Sequence, residues 1–122
     1  MRVRGFTMIE LLLVLALIAL LASLVAPMLT GSVNRAREAT LRENLLVMRK
    51  AIDAYYTDNG RYPPDLQALV AKRYLRQVPV DPLTEKGDTW VLGRAEDAIG
   101  GIDDVHSGSD LKAADGTAYR EW

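Results

Sequence analysis

The hydrophobic pattern changes character at about residue 30. From Leu11 to Ala26 no residue is charged, and Ser23 is the only polar side chain. The 19 residues from Leu11 to Leu29 make about 28 Å of helix, close to the thickness of the hydrocarbon core of a bilayer. The pattern therefore predicts a helix that crosses a membrane near the start of the chain.

Beyond this run the pattern becomes amphipathic, because apolar residues recur at spacings of four, three, four and three, on one face of a helix. These residues are Leu41, Leu45, Met48, Ile52 and Tyr55. We predict one long helix over residues 6 to about 58, ended by Asn59-Gly60. Pro27 and Gly31 predict a kink or a locally melted stretch at residues 23–32, although Pro27 also fits a simple exit from the membrane.

The rest of the chain has the signals of a small mixed region. Asp65 can cap a short second helix that runs from Leu66 to about Lys72. The segment Thr89–Leu92 is strand-like, and a second strand is expected in the run that contains Ile102 and Val105. The predicted fold class is α+β, with the long helix packed against a small antiparallel sheet and loops.

Glu10 is the anomaly of the apolar segment. A carboxylate at the centre of a membrane helix costs on the order of 2.5–3.5 kcal/mol, and less near the interface, so it needs a partner. The candidate cation is the amine that cleavage between Gly5 and Phe6 creates. Two arginines, Arg2 and Arg4, precede that bond.

The segment Gly5–Glu10 (GFTMIE), behind a short basic leader, resembles the class III signal of type IV pilins and type II secretion pseudopilins. The later order Tyr62-Pro63, then Pro79-Val80-Asp81-Pro82, resembles the major pseudopilins of type II secretion. The resemblance implies a pilin fold, cleavage after Gly5, methylation of the Phe6 amine and a role for Glu10 in filament assembly.

With this resemblance, we expect four regions. Residues 1–5 are the leader, 6–29 the membrane and assembly helix, 30–58 the amphipathic half of the long helix, and 59–122 a small globular region. The implied location is the bacterial inner membrane, with the C-terminal region in the periplasm. The implied partners are copies of the same chain, other pseudopilins, a prepilin peptidase and an inner-membrane assembly platform with a cytoplasmic ATPase.

Other interpretations of the same residues stay open at this point. An ordinary signal peptide has a shorter apolar core and a small-residue cleavage site, and a plain anchor explains neither Gly5-Phe6 nor Glu10. A minor subunit of a type IV pilus in adhesion, motility or DNA uptake shares the first half of the chain. A membrane-anchored binding module that does not polymerise is a further alternative.

Composition narrows the function classes. The chain has no cysteine and one histidine, His106, and it contains no phosphate-binding loop or paired-histidine zinc spacing. Residues 30–76 carry a net charge of +4 and residues 77–122 one of −6, which suits either contacts between copies or a solvated surface. Neither catalysis nor nucleic-acid binding is indicated.

An acidic loop near the C-terminus is the one candidate metal site, since calcium takes six to eight oxygen ligands from such loops. The candidate ligands are Asp104, Ser107, Asp110 and Asp115. The resemblance implies calcium here, and Ser107 to Asp110 matches part of the family's loop. The family places further acids after glycine-threonine, whereas Gly116-Thr117 precedes Ala118-Tyr119 in this chain, so expected ligands are missing.

Overall fold

The protein was analysed as a computed structural model that describes residues 4–94, 96 and 100–122. The elements are α1 (Met8–Asn59), α2 (Leu66–Ala71), β1 (Val91–Gly93), β2 (Asp104–His106) and a short 3-10 helix (Tyr119–Glu121). The chain divides into two compact units, Met1–Arg35 and Ala36–Trp122. The α+β fold class predicted from the sequence is confirmed.

The N-terminal unit contains the apolar part of α1. An 18-residue window of this helix has a mean hydropathy of 2.8 and none of it is buried, so its length and composition are sufficient to cross a membrane. The predicted melted stretch is wrong, because α1 stays helical through residues 23–32. The hydroxyls of Ser23, before Pro27, and of Thr30, after it, each donate to the backbone carbonyl oxygen four residues earlier. The kink at Pro27 stays a prediction.

The C-terminal unit is built on the amphipathic half of α1. All five apolar residues that the spacing placed on one face are buried, as predicted. The residues that cover this face come from α2, from β2, from the 3-10 helix and from the loops between these elements. They are Leu66, Leu69, Leu75, Trp90, Ile102, Val105, Ala113 and Tyr119. A small core of this kind depends on long-range contacts, because no single element can bury its own apolar face.

The ends of both helices follow the local sequence. Gly60 adopts a φ of 70° and its N–H donates to the Tyr56 carbonyl at 2.8 Å, which is how a glycine commonly ends a helix. The Asp65 carboxylate accepts from the Ala68 N–H at 2.8 Å and caps α2. Both helix boundaries therefore agree with the prediction to within one or two residues.

The sheet is a single antiparallel pair, with Val91 opposite His106 and Leu92 opposite Val105. β1 begins two residues later than the segment we predicted. The indole N–H of Trp90 donates to the Pro79 carbonyl at 2.8 Å, and the Thr89 hydroxyl bonds that of Thr84 at 2.6 Å. These two side chains are therefore used to hold the preceding turn against the start of the strand.

Candidate functional site

The segment before α1 leaves the Gly5–Phe6 bond accessible. Phe6 is 87 % exposed, and both residues precede the first helical residue, Met8. A Cβ built on Gly5 meets no atom within 4 Å, so the fold of the chain places no steric demand for glycine at this position. Any requirement for glycine at this position must therefore come from a partner that binds this segment.

Thr7 starts the helix. Its hydroxyl accepts from the Glu10 N–H at 3.2 Å, and its carbonyl accepts from the Leu11 N–H at 3.1 Å. Threonine followed three residues later by glutamate is the spacing of a capping box, in which the glutamate or a glutamine completes the cap. The spacing offers a structural explanation of Glu10, but of the two bonds of a capping box the structure forms only the one from the Glu10 N–H to the Thr7 hydroxyl.

The Glu10 carboxylate has no hydrogen-bond or ion-pair partner among the residues that the structure describes. It lies in the first turn of α1, where the helix dipole favours a negative charge. Its neighbours Ile9 and Leu11 are exposed, as is the apolar surface that continues along the helix. A carboxylate in such surroundings gains most from a cation supplied by another molecule.

A second polar cluster, which the sequence analysis did not identify, surrounds Arg49. Its guanidinium donates to Asp104 Oδ1 at 2.7 Å, to the Val105 carbonyl at 3.0 Å and to the Trp122 carbonyl at 2.5 Å. One side chain of α1 thus joins β2 and the end of the chain. Nothing in the local sequence around Arg49 shows that its partners lie 55 to 73 residues away.

Burial raises the pKa of the Asp104 carboxyl, but hydrogen bonds from Arg49 and from the Val105 N–H, with the charges of Arg49 and His106, lower it below its ordinary value overall. A carboxyl with a lowered pKa stabilises the folded state above its unfolded pKa, and the contribution disappears as the pH falls through the folded pKa. The Arg49 cluster is therefore stabilising at neutral pH and is weakened by acid.

Replacing Arg49 by methionine should lower the free energy of unfolding of the C-terminal unit by about 2 kcal/mol, since hydrogen bonds to charged groups are lost while the apolar stem is kept. The partial exposure of the pair limits the loss. Both tryptophans belong to this unit, so denaturation of the detergent-solubilised chain can be followed by tryptophan fluorescence. Lys50→Met, at the exposed next position, is the control, and equal stability of the two variants would contradict the role of Arg49.

Asp81, which the sequence shows only as part of a proline-rich motif, is a second residue whose contacts appear in the structure. It is fully buried, and its carboxylate accepts from the Ser107 hydroxyl at 2.6 Å and from the Leu83 N–H at 2.9 Å. A buried carboxylate costs several kcal/mol unless it is hydrogen-bonded. The signal in the sequence was an aspartate next to proline inside an apolar turn.

The four calcium candidates have separate partners. Asp104 pairs with Arg49, Ser107 with Asp81, and Asp110 with Arg120. Asp115 Oδ1 accepts from the N–H and the hydroxyl of Thr117. In the part of the chain that the structure describes, no three His, Asp or Glu side chains come together as metal ligands. Each of the four candidate side chains is thus engaged by a different residue of the chain, and calcium binding stays a prediction.

His106 does not form a catalytic arrangement with its neighbour. Its Nε2 lies 3.3 Å from Asp104 Oδ2, and its buried Nδ1 has no partner among the described residues. The Ser107 hydroxyl donates to Asp81. A serine nucleophile requires a hydrogen bond to its base, so the Ser107 contact does not support acyl transfer.

The chain combines a short basic leader, an accessible Gly5–Phe6 bond, an apolar helix and a small α+β region. This combination defines a prepilin-type membrane protein. A family profile described as "Prokaryotic N-terminal methylation motif" matches residues 1–26, which agrees with this class.

Curated relatives place the chain within that class. Type II secretion system core protein G of Klebsiella michiganensis is 30% identical over 83% of this chain and 89% of the relative. The protein of the same name from Klebsiella pneumoniae is 36% identical over 66% and 69%, and that from Escherichia coli is 32% identical over 73% and 70%. No solved structure matches the chain. The chain belongs to the type II secretion system core protein G family and is a structural pseudopilin subunit.

The membership favours the pseudopilin hypothesis over the type IV pilus and non-polymerising alternatives. The apolar N-terminal helix is consistent with an anchor in the inner membrane. As a pseudopilin, the protein assembles with other pseudopilins and is processed as a prepilin.

Proposed function

We propose that prepilin peptidase cleaves this chain between Gly5 and Phe6 and methylates the Phe6 amine. The mature helix then polymerises with copies of itself into a periplasmic pseudopilus that supports protein export. One arrangement carries the proposal: the Gly5–Phe6 bond is accessible and no neighbouring atom crowds Gly5, and the Glu10 carboxylate follows a few residues later.

In the assembly step, an ion pair sets the register of neighbouring helices, and apolar packing supplies the stability. The methylated amine of Phe6 remains a cation, and Glu10 of a neighbouring copy neutralises it when the subunit joins the filament. Two unit charges about 4 Å apart attract by roughly 4 kcal/mol at an effective dielectric constant of about 20, before desolvation is subtracted. The net gain is small, so the pair sets the register of the helices more than it adds stability.

The packing energy comes from the exposed apolar surface of α1. Large apolar residues along this helix leave about half or more of their surface uncovered in the single subunit, for example Leu13, Ile18 and Leu24. Lipid covers this surface before assembly and neighbouring helices cover it afterwards. Extraction from the membrane requires work that the chain cannot supply, and we assign it to a cytoplasmic ATPase acting through an inner-membrane platform.

The proposed topology has the leader in the cytoplasm and residues 36–122 in the periplasm. Charge alone does not decide this, because Arg2 and Arg4 precede the helix while Arg35, Arg37 and Arg42 follow its apolar part. The support comes from the prepilin motif, whose peptidase acts on a cytoplasmic leader.

The test is the mass of the mature protein purified from membranes of cells that carry the peptidase. We expect a chain that begins at Phe6, lacks the first five residues and carries one added methyl group. Gly5→Ala should remain uncut, whereas Gly31→Ala, inside the helix, should be processed normally. An intact N-terminus on the wild-type chain in its native host would contradict the proposal.

A further inference from the structure

Hydrogen bonds within the chain itself hold the C-terminal loop, residues 107–118, in place. At its start Ser107 is fully buried, and its hydroxyl donates to the buried Asp81 and accepts from the Ser109 N–H at 3.2 Å. The Ser109 hydroxyl in turn accepts from the Leu111 N–H at 3.1 Å. The first turn of the loop is thus held by a chain of hydrogen bonds that begins at a buried carboxylate.

The end of the loop is tied in the same way. Tyr119 is 5 % exposed, and its hydroxyl donates to Glu38 Oε1 on α1 at 2.8 Å. The Ala113 N–H donates to the Thr117 carbonyl at 2.7 Å, and the Trp122 indole N–H donates to the Thr117 hydroxyl at 2.8 Å. Both ends of the loop are therefore attached to fixed parts of the C-terminal unit.

The acids within the loop are engaged as well. Arg120 lies in an ion pair with Asp110, and Thr117 donates twice to Asp115 Oδ1, at 2.9 and 2.6 Å. Calcium needs six to eight oxygen ligands around one point. Ala118 presents a methyl group where the resemblance leads one to expect an acid. The loop therefore has too few oxygen ligands for calcium, and those it has do not meet at one point.

We propose that this loop is a metal-independent closure, in which Thr117 engages Asp115, Arg120 engages Asp110, and the Ser107 hydroxyl is itself committed to Asp81. The folded state of the C-terminal unit is then insensitive to calcium. The inference depends on contacts within residues 36–122 and is independent of cleavage and polymerisation.

The test is thermal unfolding of the full chain in detergent, followed by near-ultraviolet circular dichroism in calcium chloride and in EGTA. A site loaded at about 100 times its Kd raises Tm by roughly 10–20 °C for a unit of this size. We expect the same Tm in both buffers, for the wild-type chain and for Asp110→Asn. Isothermal titration of the wild-type chain with calcium chloride should show no saturable heat.

Ser107→Ala tests the anchor itself. It removes one of the two hydrogen bonds that the buried Asp81 carboxylate accepts, so Tm should fall by about 5–10 °C, equally in calcium and in EGTA. The matched control is Thr57→Ala, which removes only an exposed hydroxyl that bonds its own helix. Two results would overturn the proposal: a higher Tm of the wild-type chain in calcium than in EGTA, or a Ser107→Ala chain as stable as the control. The first remains measurable even if Ser107→Ala does not fold.

Discussion

Replacing Glu10 by glutamine should abolish pseudopilus assembly while leaving cleavage and methylation intact. The variant removes the charge that is expected to neutralise the Phe6 amine of a neighbouring copy. An uncompensated charge among packed apolar helices costs roughly 3–5 kcal/mol, and the cost recurs at every subunit added to the filament. Secretion by the assembled system should be lost with the filament.

Glutamine is a sharper choice than alanine, because it separates the two explanations of Glu10. Thr7 and Glu10 have the spacing of a capping box, and either glutamate or glutamine at this position can complete the cap. If Glu10 acts only as a helix cap, the glutamine variant assembles normally. If its charge is the functional property, glutamine fails as completely as alanine.

The measurement is electron microscopy of sheared filaments, together with export of a reporter protein and the mass of the membrane-extracted subunit. Glu43→Gln, an exposed acid later on the same helix, is the matched control and should assemble. Wild-type filaments and export from the Glu10→Gln chain would refute the assembly role while leaving the processing site unaffected.

Gly108→Ala should prevent the C-terminal unit from folding stably. A Cβ at this position would lie 2.0 Å from the Thr89 carbonyl oxygen and 3.1 Å from its carbonyl carbon. Both are backbone atoms, so no change of side-chain rotamer relieves the clash. Since overpacking costs about 1–3 kcal/mol or more, and a unit of this size is only marginally stable, a loss at the upper end of that range is expected.

The reason for the close approach lies in the strand pairing. Val91 faces His106 in the ladder, and the same register continued by two residues brings Thr89 opposite Gly108. Ser107, one residue earlier, anchors the loop to the buried Asp81. A displacement at Gly108 therefore disturbs both the sheet and the loop anchor.

The control for this prediction is Gly87→Ala, where the new Cβ meets only the Pro79 carbonyl oxygen at 3.8 Å, an ordinary contact. Guanidinium denaturation followed by tryptophan fluorescence gives the free energy of unfolding of both variants. Processing after Gly5 should be unchanged in Gly108→Ala, because the prepilin motif lies in the other unit. A Gly108→Ala chain as stable as Gly87→Ala would show that the backbone relaxes without cost.

Local pattern was sufficient for the periodicity and most of the boundaries of the helices, although it wrongly predicted a melted stretch at residues 23–32. The length of the apolar run, the spacing of the core face of α1 and the caps at Gly60 and Asp65 are all short-range properties, and the structure agrees with them. The prepilin motif is also contiguous, so the class of protein was readable from the first ten residues. Helix periodicity and capping act within a few residues, which is why one sequence is sufficient to find them.

Tertiary structure alone decided the roles of Arg49, Asp81 and Gly108. Arg49 bonds residues that lie more than 50 positions away, Asp81 is hydrogen-bonded to Ser107 26 positions later, and Gly108 is required by a backbone that approaches it from Thr89. The acidic loop illustrates the same difference, since its composition suggested calcium and its contacts point to a closure by protein donors. Pairings of this kind depend on how distant segments meet, and no periodicity in the chain records them.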